Sequence, residues 1–274
     1  MNILITGEKS YIGGHLREYL SAKGHKCKIV SVREALPVTT GFDAVVHCAG
    51  IVHKKANKRL YDDINVKLSA TLAKSAKESG VGHFIFMSSM SVYGKTGSRM
   101  NIPIDEITPA EPDTDYGKSK LEAEKLLTGI SGEDFIVSNL RLPMVYGKDC
   151  PGNYSALSKL VNILPVFPYV ENERSMLYID NLGEFVHLLI QNPPKKAAVY
   201  CPQNKETICT SELVKLMADR RGRKISQSRL LGILAARMPF KSARKLFGNL
   251  VYDRQMSNYF SFEYCVVNFE ETVE

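Results

Sequence analysis

In the stretch YGKSK, Tyr116 and Lys120 stand four residues apart, so on a helix their side chains share one face. A tyrosine hydroxyl ionises near pH ~10 and is a poor base at neutrality. An adjacent ammonium favours the phenolate and turns it into a usable proton acceptor. Helical Tyr/Lys pairs are common by chance, and in isolation this one reads as a surface pair. Upstream, however, the apolar run His83–Met87 leads into SSMSVYG, which puts Ser89 at the end of a central strand. A hydroxyl there can hydrogen-bond the oxygen of a substrate alcohol or ketone. Together the three side chains form a coherent proton-transfer set.

A third element is TGEKSYIGG, between the apolar run Asn2–Ile5 and the helical stretch His15–Leu20. Strand, glycine turn, helix is the context that a dinucleotide fingerprint requires. Gly7 permits the sharp turn, and Gly13 lets the helix pack close and bring its N-terminus to a pyrophosphate. Ser10 occupies the usual middle-glycine position, where it can offer an anion a hydroxyl and a backbone N–H. After the second strand comes SVRE, with Arg33 ahead of Glu34. An arginine there tolerates a 2′-phosphate where an acid would hold the ribose 2′-hydroxyl, which favours NADP over NAD. The plainer alternative is a surface arginine at a strand end.

The elements that must position these residues are visible as alternating patterns. Asn2–Ile5, Cys27–Val32, Ala44–Cys48, His83–Met87 and Phe135–Leu140 are short runs, several nearly continuous in apolar residues. Such runs suit parallel strands buried on both faces. Gly13–Lys23, Tyr61–Ser79 and Tyr116–Leu127 have helical periodicity. The alternation predicts an α/β fold, a Rossmann-like doubly wound parallel sheet with its ligand crevice at the strands' C-terminal ends. Beyond Pro143 the pattern loosens, then turns helical until a strand-like run near Phe262–Phe269. We expect residues 1–142, with 176–200 returning, to form the dinucleotide-binding domain. Residues 143–175 and 201–274 would form a small, mostly helical C-terminal substrate-binding cap.

The bulk properties exclude several classes. Of 274 residues, 44% are hydrophobic and 24% charged, ordinary for a globular protein. No apolar run is long enough to span a bilayer, and no signal-peptide pattern opens the chain, so a cytoplasmic protein is expected. Six cysteines without any C-x-x-C pair argue against zinc or a disulfide framework; no metal is expected. The net charge of +7 is concentrated: Lys215–Arg254 holds eleven Lys/Arg and two acids, leaving the rest slightly acidic. Within it RLLGILAARMPFKSARKLFGNL has an amphipathic pattern compatible with weak membrane-surface association. The simpler reading is a helix pair with a solvated basic face. No aromatic-and-basic motif of a nucleic-acid reader accompanies it, so no nucleic acid is expected.

Seven motifs, TGEKSYIG, FDAVVHCAG, the Asn65-containing INVKLSATLAKSAKESGV, SSMSVYG, YGKSK, LRLPMVYG and RSMLYIDNL, run in order across about two-thirds of the chain. In these the sequence resembles an extended short-chain dehydrogenase/reductase of the NAD-dependent epimerase/dehydratase family, in its nucleotide-sugar-modifying branch. The resemblance implies Ser89, Tyr116 and Lys120 as catalytic residues, with Lys120 also holding the nicotinamide ribose. It implies Gly7, Ser10, Tyr11, Ile12 and Gly13 around the pyrophosphate. Ala49, Gly50 and Asn65 would back the cofactor, and Pro143 and Val145 would flank the nicotinamide. Asn153 and Arg174 would take the nucleotide diphosphate of a UDP-linked substrate, since a planar fork of donors pairs with phosphate oxygens. His53 is set aside, a lone histidine being more often structural. The family's members often pair as homodimers.

The chemistry so implied is hydride transfer at a sugar carbon, most often C4. Oxidation and re-reduction on opposite faces make a UDP-hexose or UDP-N-acetylhexosamine 4-epimerase. The reductive half alone, with NADPH, makes a UDP-4-keto-6-deoxyhexosamine reductase. The family's dehydratases carry an Asp-Glu pair after the catalytic serine or threonine, which MSVYGK lacks. A third reading is a non-catalytic NADP-binding sensor or scaffold, a class that typically loses the Tyr-x-x-x-Lys pair retained here.

Overall fold

The computed structural model describes residues 1–52, 57–94, 102–237 and 246–273. The chain divides into two compact units, the first made of Met1–Gly94, Pro109–Leu142 and Ile179–Pro202. Its sheet has six parallel strands: β1 (Asn2–Thr6), β2 (Lys26–Val30), β3 (Ala44–His47), β4 (His83–Ser89), β5 (Ile136–Leu142) and β9 (Ala198–Tyr200). The spatial order is β2-β1-β3-β4-β5-β9, so the chain reverses direction of travel between β1 and β3. That topological switch point is where an open α/β sheet leaves a crevice at its strands' C-terminal ends.

Both faces of the sheet are covered, as the continuous apolar strands require. On one face Leu4, Val45, Phe84, Phe86 and Val137 pack with Leu72, Ala73 and Ala76 of α3 (Leu68–Glu78) and Ala123 and Leu127 of α4 (Asp115–Ile130). The helices α1 (Tyr11–Ala22) and α6 (Ile179–Gln191) pack on one another and bury Leu16, Leu20, Leu182, Phe185 and Leu189. The helical stretch expected over Tyr61–Ser79 is a composite. A short α2 (Lys58–Tyr61) runs through a π-helical turn, Asp62–Lys67, into α3.

The second unit comprises Lys95–Thr108, Pro143–Tyr178 and Gln203–Glu274. Its helices are α5 (Asn153–Ile163), α7 (Thr210–Arg220) and α8 (Arg229–Arg237). Two small parallel pairs join them: β6 (Met144–Tyr146) with β8 (Met176–Tyr178), and β7 (Val166–Pro168) with β10 (Ser226–Ser228). The strand expected near Phe262–Phe269 is absent. Phe260, Ser261 and Phe262 all have positive φ (49°, 52° and 59°), which curls that run into turns. The buried Tyr264 then anchors the tail, its hydroxyl donating to the Gln203 carbonyl at 2.8 Å.

Candidate active site

β4, at the sheet's centre between β3 and β5, outruns β3 and ends on Ser89, which is in register with Leu142 of β5. Thr114 caps α4 by accepting from the Gly117 N–H at 3.0 Å, which sets the helix start one residue before Tyr116. Ser89 stands beside the Tyr116 phenol and draws its pKa down, while the Ser89 hydroxyl lies 3.0 Å from that of Ser91. The Tyr61 ring stands 6.3 Å from that of Tyr116, centroid to centroid, tilted by 56°. Serine and tyrosine are therefore brought together as the sequence spacing anticipates.

Lys120 takes a different direction. Its ammonium donates to the Met87 carbonyl at 2.8 Å and sits 4.4 Å from the centre of the Phe86 ring. Burial pulls its amine down to about 8, against the opposing pull of Cys48 and Glu124. Tyr116 feels no such cation: desolvation pushes its phenol up to about 12, with Ser89 working the other way. The depressed phenol expected from the Tyr/Lys spacing is thus not found in this arrangement. The phenol is a proton donor as it stands.

At the switch point the residues fit a pyrophosphate-bearing dinucleotide. Gly7 has φ +93°, and a Cβ there would press within 3.0 Å of the backbone after β3 at Cys48 and Ala49. A Cβ on Gly13 would lie 2.7 Å from the Gly7 carbonyl, so both positions need glycine's missing side chain. Ser10 does not need to be glycine: its φ is −89°, ordinary for any residue. Its hydroxyl instead caps α1, accepting from the Gly13 N–H at 2.9 Å, and keeps its own proton to donate. Tyr11 and Ile12 form the first turn of α1 behind it.

Asn65, in the π-helical turn, accepts from the Ile51 N–H at 2.9 Å. It donates to the Ile51 carbonyl at 3.1 Å and the Ser119 hydroxyl at 3.0 Å. It thereby ties the loop carrying Ala49 and Gly50 to α4. Arg33 lies exposed just beyond β2. His53 falls outside the described residues.

Pro143, Val145, Asn153 and Arg174 all belong to the second unit. Asn153 opens α5, and it lines a small cavity with Arg174, Met144, Met176, Thr210 and Leu246. Arg174 donates to the Gly248 carbonyl at 2.8 Å. Among the described residues no carboxylate pairs with it, and burial pulls its guanidinium down to about 10. An unneutralised guanidinium in a cavity is a receptor for an anion.

One buried cluster escaped the sequence reading. Arg141 on β5 grips Glu124 of α4 through both carboxylate oxygens, the shortest contact being 2.7 Å. Ser88 donates to the same carboxylate, and Arg141 donates to the Tyr93 hydroxyl at 2.8 Å. The available signal was the spacing of positions 116, 120 and 124, which puts Glu124 on the face of Tyr116 and Lys120. No cluster that could hold a metal occurs among the described residues, and none of their helices is long and apolar enough to cross a membrane.

The model of the NAD dependent epimerase/dehydratase family matches residues 3–200. The chain belongs to that family. Among its relatives, the UDP-glucose 4-epimerase of Vibrio cholerae is 30% identical over 246 residues, covering 79% of this chain and 75% of that protein. The N-acetyl-alpha-D-glucosaminyl-diphospho-ditrans,octacis-undecaprenol 4-epimerase of Escherichia coli O157:H7 is 29% identical over 205 residues, 71% of this chain and 60% of that one. MoeE5, solved in complex with UDP-glucuronic acid and NAD, superposes with a TM-score of 0.77 at 20% identity, covering 99% and 96% of the two chains. At that identity the likeness shows the fold. This epimerase/dehydratase family member thus has the doubly wound sheet and the smaller helical C-terminal region read from its sequence.

Proposed function

We propose that this chain is a nucleotide-sugar 4-epimerase, acting by hydride transfer at C4 of a UDP-hexose or UDP-N-acetylhexosamine. The observation that carries the reading is the juxtaposition of Ser89, the last residue of the central strand, with the Tyr116 phenol whose pKa it lowers. The epimerase names borne by the relatives of Vibrio and Escherichia support it. The six cysteines, held as thiols rather than disulfides, fit a reducing, cytoplasmic setting.

A nicotinamide dinucleotide, held by Gly7, Ser10, Gly13, Ala49 and Gly50, would supply the hydride acceptor and donor. Tyr116 carries the proton of the sugar C4 oxygen: as a phenol it donates to a ketone, as a phenolate it takes the proton of an alcohol. Accepting requires a lower pKa, which the Lys120 ammonium provides once it turns from the Met87 carbonyl toward the phenol. Ser89 holds the C4 oxygen through its hydroxyl. Arg174 and Asn153 bind the diphosphate of the nucleotide.

NAD accompanies UDP-glucuronic acid in the MoeE5 complex, whereas the exposed Arg33 favours NADP and with it the second reading, a UDP-4-keto-6-deoxyhexosamine reductase. Denaturing the purified protein and identifying any released dinucleotide separates the two. Tightly held NAD and 4-epimerisation of UDP-hexoses support the epimerase; empty protein that takes NADPH over NADH supports the reductase. Tyr116→Phe is expected to abolish turnover while leaving dinucleotide binding intact. Unchanged turnover would overturn the mechanism in either form.

A further inference from the structure

α8 is built inside out. Its inward face is Gly232 and Ala235, and a Cβ on Gly232 would collide with the Tyr169 carbonyl at 1.8 Å. Its outward face carries Leu230, Leu231, Ile233 and Leu234, exposed by 69%, 41%, 52% and 52%. At about 100° per residue those four fall within an arc of about 160°, opposite the packed side. The neighbouring α7 shows the usual arrangement, burying Leu213, Val214 and Met217.

The exposed face is held rigidly in place. β10 pairs with β7 immediately before α8, and the Ser228 hydroxyl accepts from the Leu231 N–H at 3.3 Å. The Arg229 guanidinium stands over the Tyr169 ring at 5.7 Å. The sequence on either side of the helix has one sign of charge. From Arg220 to Tyr252 the sequence holds nine Lys/Arg and no Asp or Glu, and Lys224, Arg229 and Arg237 are exposed beside or at the ends of the helix.

We infer that α8 docks this protein on an anionic bilayer surface, its four aliphatic side chains entering the acyl boundary and its arginines meeting lipid phosphates. A large apolar face with a basic rim matches that interface on both counts. A second copy fits less well, because a two-fold pairing through α8 would bring two acid-free basic segments together. Nucleic acid would answer the charge and leave the leucines in water. The inference is independent of the reaction assigned above, since binding is read without turnover.

The test is co-sedimentation of the full chain with phosphatidylcholine vesicles containing a quarter phosphatidylglycerol, against pure phosphatidylcholine. Binding is expected to the anionic vesicles and to weaken about tenfold or more at high salt, as Debye screening demands. Leu230→Ser/Ile233→Ser/Leu234→Ser should cost about tenfold or more in partitioning, with dinucleotide binding unchanged as the check on folding. Should that variant misfold, Arg229→Glu/Arg237→Glu serves in its place and is expected to lose the anionic preference. Protein that stays in the supernatant with both vesicle types overturns the proposal. So does binding that survives the substitutions, or a dimer seen by light scattering that the serine variant disperses without any vesicle binding.

Discussion

The Ser10 hydroxyl accepts the Gly13 N–H at 2.9 Å, so the residue at the usual middle-glycine position is the N-cap of α1. The substitution satisfies one helix donor and uses only the serine's acceptor capacity, so its proton is still available to donate. Ser10→Ala should cost about 1 kcal/mol through the lost cap, and Ser10→Gly only a few tenths. For a chain of this size that is a fall of about 3 °C in Tm for the alanine variant. If the hydroxyl also donates to the pyrophosphate, Ser10→Ala weakens dinucleotide binding by about tenfold, read by titration calorimetry. Unchanged affinity would restrict Ser10 to capping.

Lys120 sets the pH response. Its amine, pulled down to about 8 by burial, is an ammonium below that pH and neutral above it. Tyr116, pushed up to about 12 while Lys120 is held by the Met87 carbonyl, is protonated in that arrangement throughout the accessible range. If the lysine charge is what eases proton transfer at the phenol, kcat/KM should be level below pH 8 and fall above it. Lys120→Arg keeps the charge and should remove the alkaline fall, at a lower plateau. A profile that instead rises through pH 8 would mean that the neutral amine is the active form.

These positions also show where the sequence was transparent. Strands such as Val45–Val46 and Phe84–Ile85–Phe86 are apolar at consecutive positions because helices cover both faces of the sheet, and that pattern survives in one dimension. Tyr116 and Ser89 were legible because one lies at a strand end and the other on the first turn of a capped helix. The direction of Lys120 was not, because spacing places a side chain on a face without choosing its hydrogen-bond partner. Glu124 and Arg141 look like surface charges in sequence, and only their pairing makes burial tolerable. The run Phe262–Phe269 has the composition of a strand, yet positive φ over Phe260–Phe262 is a tertiary outcome that no local propensity signals.

Arg174 offers a prediction with two readouts of different sign. Its guanidinium is desolvated and satisfied in part by the Gly248 carbonyl, without a carboxylate. Arg174→Met removes a costly buried charge, so Tm should hold or rise slightly. The same change should raise KM for a UDP-sugar by about tenfold or more, since a charge-assisted bond to phosphate is lost. Arg174→Lys should recover part of that affinity. A drop in Tm with KM unchanged would make the residue structural.

The Glu124–Arg141 pair joins α4 to β5 beneath the candidate catalytic residues. Glu124 is one turn beyond Lys120, and Ser88, which donates to it, directly precedes Ser89. Glu124 is only 3% exposed, so removing its charge strands a guanidinium away from water. Glu124→Gln should therefore destabilise the protein by about 3 to 5 kcal/mol, a fall in Tm of about 10 °C. Glu124→Gln/Arg141→Met should regain much of that loss, because the penalty is mainly an unpaired charge. The catalytic consequence is separable from the stability one. If the pair positions Ser89 and Lys120, the double variant lowers kcat even where its Tm has recovered, while dinucleotide affinity is kept. Recovery of both together would make the pair a buried brace of the fold alone.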